Sequence, residues 1–90
     1  MENPDFIFNF NFNGADYSAQ VWHYAQLTDK ERLEHGITEN TYLIYLNGPQ
    51  VFKPFEIFIA GDMEWKTKSS FVVSEEIVDI IGELIDRHSM

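Results

Sequence analysis

No cysteine occurs in the 90 residues, so neither a disulfide nor a thiolate metal site can hold this chain together. Basic residues are scarce as well: six lysines and arginines stand against fifteen carboxylates, a net charge of −9. A field of that sign repels phosphate backbones and argues against direct nucleic-acid binding. No apolar run approaches the roughly 18 residues of a membrane span. Met1-Glu2-Asn3-Pro4-Asp5 lacks the basic and apolar regions of a secretory signal. A cytoplasmic protein without a membrane segment is the expectation. Glycine-rich phosphate loops, H-E-x-x-H, G-x-S-x-G and G-x-G-x-x-G are all missing. His23, His35 and His88 show no metal-ligand spacing, so no cofactor and no metal is expected.

Stability must therefore come from burial, and the composition supplies the means. Hydrophobic residues make up 44% of the chain and aromatics 16%, in a length that suits one domain with a single core.

The strongest pattern is Phe6-Ile7-Phe8-Asn9-Phe10-Asn11-Phe12, where phenylalanines at alternate positions put their rings on one face of a strand. Asn13-Gly14 follows, a pair that tolerates the positive φ angles of a two-residue hairpin turn. With those residues as the loop, Phe12 faces Ala15, Phe10 faces Tyr17, Phe8 faces Ala19 and Phe6 faces Val21, while Asn11 meets Asp16 and Asn9 meets Ser18. One face is then apolar and the other polar. A slip of one residue would mix them.

The second strand extends to about Ala25. Trp22 and Tyr24 share the parity of Ser18 and Gln20 and emerge opposite the phenylalanines. A covering loop, a dimer mate or a binding partner has to receive them there. His23 shares the parity of Val21 and points towards the core side.

Leu27 to Gly36 reads as a short helix. Thr28 and Glu31 have capping-box spacing, Gly36 supplies a left-handed stop, and His35 in the last turn suits the helix dipole. With only Leu27, Leu33 and Ile37 to bury, it is a connector. Thr41 to Leu46 is a third strand, apolar on both faces and hence central. A fourth runs from Phe55 to Ala60, after Pro54, which cannot donate to a ladder. Gly61-Asp62 suggests another two-residue turn, so that Met63 to Thr67 pairs back with Met63 against Ala60 and Trp65 against Phe58. The polar run Lys66-Thr67-Lys68-Ser69-Ser70 is a connection whose lysines guard an edge.

Ser74 is a good N-cap for a final helix, and Glu75 and Glu76 place negative charge in its first turn. Ile77, Val78, Ile80, Ile81, Leu84 and Ile85 fall within one arc of the helical wheel. The phenylalanine face is the largest apolar surface on which they can lie. Gly82 sits at the edge of that arc, where close approach to a strand would explain it.

The fold expected is α+β: an antiparallel four- or five-stranded sheet, in the order β-β-α-β-β-(β)-α, with the C-terminal helix packed on one face. The chain carries more aromatic surface than one helix can cover. That points to a non-enzymatic protein-interaction or regulatory domain, self-associating as a homodimer through the aromatic side of the sheet around Trp22, Tyr24 and Tyr45. The expected partner is thus protein, with neither direct nucleic-acid nor membrane contact. Two other readings stay open. One is a small-molecule or catalytic pocket between sheet and C-terminal helix, using His23 and nearby tyrosines. The other is nucleic-acid mimicry by the acidic helix face of Glu75, Glu76, Asp79, Glu83 and Asp86.

Overall fold

The first hairpin closes as its residue pattern requires. In a computed structural model, which describes residues 3–88, Asn13 and Gly14 take positive φ angles of 52° and 81°. They join β1 (Phe6–Phe12) to β2 (Ala15–His23). Phe12 pairs with Ala15, Phe10 with Tyr17, Phe8 with Ala19 and Phe6 with Val21, the expected register throughout.

β2 ends at His23, two residues earlier than the sequence suggested, and Tyr24 belongs to a single 3-10 turn over Tyr24–Gln26. The cause is local: the His23 side chain accepts the Ala25 N–H at 3.3 Å, while its own N–H donates to the Asp5 carboxylate at 2.7 Å. These bonds turn the chain out of the sheet and carry it across the face opposite the phenylalanines.

α1 (Asp29–His35) follows with the full capping box: Glu31 N–H donates to Thr28 Oγ1 and Thr28 N–H to the Glu31 carboxylate. It buries no side chain of its own, and Leu33 is 87% exposed. The anchors are the flanking Leu27 and Ile37, which join Trp22 and Leu43 in a small second core. The connector is thus also a cover.

β3 (Thr41–Asn47), β4 (Phe55–Ile59) and β5 (Trp65–Lys66) complete one antiparallel sheet in the order β1-β2-β3-β4-β5. β3 lies at its centre, as its apolar faces require. The last pairing corrects the sequence reading: Trp65 faces Ile59 and Lys66 faces Phe58. Met63 takes φ 67°, so the loop is Gly61-Asp62-Met63 and the register moves by one. Asp62 Oδ1 accepts the Glu64 N–H at 3.2 Å and fixes that turn. The slip puts Trp65 on the opposite side of the sheet from the one expected, the side carrying Ile57 and the helix.

α2 (Glu75–His88) covers the phenylalanine face. Its Ile77, Val78, Ile81 and Ile85 are at most 4% exposed. At about 1.5–3 kcal/mol for each large buried side chain, they contribute on the order of 10 kcal/mol before entropy is subtracted. Opposite them lie Val21, Ile44 and Ile57, all at 0% exposure. At Gly82 the helix meets the Trp65 ring: a Cβ built there would lie 2.2 Å from Trp65 Cγ. Close approach to a strand is what the glycine allows.

Candidate functional site

Trp22 and Tyr45 lie on the expected face but do not form an open surface. Trp22 is 5% exposed beneath Leu27 and Ile37, with Tyr45 edge-on to it at 5.1 Å between ring centroids. Burial raises the Tyr45 phenol pKa above its ordinary value, and the Glu31 and Glu34 charges raise it further. Tyr24 is held beside this cluster by Arg32, whose guanidinium carbon sits 3.9 Å from the Tyr24 ring centroid. Arg32 Nε also donates to the Tyr24 carbonyl at 3.0 Å. The surface anticipated around Trp22 is thus filled by the chain's own α1 segment.

His23 stands apart from these three. It faces the α2 side, its ring tilted against Tyr42 at 5.0 Å between centroids, and Tyr42 in turn lies 5.9 Å from Trp65. Tyr42 and Trp65 pack in turn against the core that holds Ile57, Ile81 and Ile85, so the neighbour of the His23 ring is an aromatic side chain of that core's margin. Among the described residues no group of histidines and carboxylates is placed to hold a metal ion.

Two surfaces outside the site expected around Trp22 are the edges of the sheet. β1 is one. A two-residue loop makes Phe12 and Ala15 a hydrogen-bonded pair, and bonded and non-bonded pairs then alternate along the ladder. Phe6, Phe8 and Phe10 direct their N–H and C=O groups to β2, and Ile7, Asn9 and Asn11 direct theirs outward. Among the described residues no strand lies on that outer side. The seven residues of β1 include no charge and no proline, the usual guards of an edge. Ile7 is 58% exposed. At one end of the strand the His88 ring of α2 lies tilted against Phe8 at 5.0 Å and edge-on to Phe6 at 6.3 Å. Phe10 and Phe12 remain half-buried. A shallow trough of about 660 Å³ runs past Asn9, Asn11, Asp16, Ser18 and Asn47, with Phe10 and Tyr17 also in its lining. Asn11 Nδ2 donates to Asp16 Oδ1 across it at 3.1 Å.

β5 is the other edge, only two residues long. A groove of about 800 Å³ separates it from α2, with Glu64 to Thr67 on one side and Glu75, Asp79, Glu83 and Asp86 on the other. Lys66 Nζ contacts Asp62 at 3.3 Å, and Trp65 Nε1 donates to Asp86 at 3.1 Å. The Asp62 carboxyl is held below its ordinary value, first by the Glu64 N–H and then by Lys66.

Glu56 also escaped sequence reasoning. It is 8% exposed, and its carboxylate accepts the Lys68 N–H at 2.9 Å and the Ser69 hydroxyl at 3.3 Å. Thr67 Oγ1 donates to the Glu56 carbonyl at 2.6 Å. The carboxylate thereby organises the 67–69 connection, a structural task. A lone glutamate inside Phe55–Ile59, with Thr67 and Ser69 following, is the signal that marks it.

No protein-family model, curated protein or solved structure matches the chain.

Proposed function

We propose that this chain is a non-enzymatic protein-interaction domain that works as a homodimer, joined by antiparallel pairing of β1 with β1 of a second copy. One observation carries this: β1 is a long edge strand without charge, proline or cover. Such an edge offers a row of backbone donors and acceptors already set out in the geometry of another strand.

A two-fold axis through Asn9 uses the whole strand. Ile7 then pairs with Asn11 of the other copy and Asn9 with its own counterpart. Those are the residues whose backbone groups point outward, and they give about six new hydrogen bonds. On the α2 side, Phe8 meets the second copy's Phe10 and Phe6 meets its Phe12. The poorly covered end of each phenylalanine row is set against the covered end of the other. The aromatic surface engaged is therefore the phenylalanine face and not the Trp22 face, which Leu27 and Ile37 already occupy. Each copy carries −9, so added salt strengthens the association by screening it.

Light scattering across a concentration series tests the proposal. Wild type is expected at twice the chain mass. Asn9→Pro removes an outward N–H and is tolerated at an edge, so it gives a folded monomer by circular dichroism. A monomeric wild type, or a dimer that survives Asn9→Pro, overturns it.

A further inference from the structure

We infer that the groove between the outer edge of β5 and α2 receives an extended basic peptide, which adds as a strand to β5 and sets lysine or arginine side chains against the carboxylates of α2. This site lies at the edge remote from β1 and does not depend on the homodimer.

The geometry of β5 supplies the backbone half. Ala60 N–H donates to the Glu64 carbonyl at 2.9 Å, which makes that a bonded pair. Ile59 and Trp65 are therefore the non-bonded pair, and the Trp65 N–H and C=O point away from β4. An added strand meets them there, as in recognition by strand addition to other sheet edges. The Trp65 ring and Val78 line the groove and give it an apolar floor, suited to the methylene stem of a lysine or arginine.

Charge and spacing supply the other half. Glu75, Asp79 and Glu83 recur every four residues of α2, with Asp86 one turn on. Among the described residues the ion pairs are Arg32–Asp29 and Lys66–Asp62, so neither of them takes up a carboxylate of this row. Lys66, the cation that lines the groove, is already engaged by Asp62. Carboxylates four residues apart stand about 6 Å from each other along a helix. Alternate side chains of a strand stand about 6.7 Å apart. A strand with a basic residue at every second position thus matches the row over several charges. An acidic or neutral strand meets only repulsion or desolvated carboxylates.

The test titrates the 90-residue chain into a fluorescently labelled eight-residue peptide of alternating lysine and threonine. Two controls accompany it: the same peptide with a central proline, and an alternating glutamate–threonine peptide. Saturable binding of the lysine peptide is expected, with a shift of the Trp65 backbone amide resonance that locates it at β5. The central proline and the double substitution Asp79→Asn plus Glu83→Gln should each weaken binding by about tenfold or more. The two substituted positions are exposed, and an unchanged circular dichroism spectrum confirms that the fold is kept. Equal affinity for the proline peptide would reduce the effect to charge attraction and overturn strand addition. Absence of saturable binding, binding of the glutamate peptide, or indifference to the double substitution would overturn the site.

Discussion

β1 presents seven residues of edge with no charge among them, whereas β5, at the other side of the same sheet, presents two residues, one of them Lys66, preceded by Asp62 and Glu64. The hydrogen-bonding capacity per residue is the same at both edges. What differs is what surrounds it. β1 is registered by its hairpin and offers itself to any strand of matching geometry. β5 is short, held by Trp65 under α2, and walled by carboxylates, so it accepts only a strand that brings positive charge. A pairing edge left open suits self-association, where the second copy is the partner at hand. An edge set in a charged groove suits a selective partner.

The largest expected effect separates how the two edges are fixed to the core. Phe8→Ala, at a side chain 5% exposed beneath α2, should cost about 3–5 kcal/mol in urea denaturation. At the β5 end, Gly82→Ala drives a methyl into the Trp65 ring and should cost about 1–3 kcal/mol. That penalty outweighs the gain of about 1 kcal/mol in helix propensity. Gly82→Ala should also move Trp65 fluorescence and leave the oligomeric mass unchanged. If both substitutions altered the mass equally, the two edges would not be independent.

The smallest effect is electrostatic and belongs to β5 alone. The folded-state pKa of Asp62 is depressed, so its contribution to stability is present above the ordinary carboxylate value and is lost as pH falls through the folded one. Thermal melts should place Asp62→Asn below wild type at neutral pH. The two should converge only once the pH has fallen below the depressed folded value, where both lack the charge. A constant gap down to low pH would show that the carboxylate charge is not what secures the turn.

The first hairpin was legible because a single turn type dictates the register of every following pair, and Asn13-Gly14 states that turn locally. The β4–β5 register was not. It depends on Met63 adopting φ 67°, a conformation that an unbranched non-glycine residue rarely takes and its neighbours do not announce. The one-residue error sent Trp65 to the wrong face. Gly82 was therefore read as a point of close approach without its partner being nameable. The Trp22 cover was hidden for another reason. Leu27 and Ile37 are single apolar residues at the ends of a polar helix, and periodicity does not tell which face such a connector crosses. The edges themselves are a property of strand order, which a pattern along one strand does not contain.

Residue-resolved amide hydrogen exchange tests the central claim about β1 most directly. Phe8 and Phe10 donate towards β2 whatever the oligomeric state, and Ile7, Asn9 and Asn11 donate outward. If β1 pairs with a second copy, the outward amides are protected at high concentration to nearly the level of Phe8 and Phe10, and lose that protection on dilution. Outward amides that exchange at unprotected rates at every concentration, beside a fully protected Phe8 and Phe10, would contradict it.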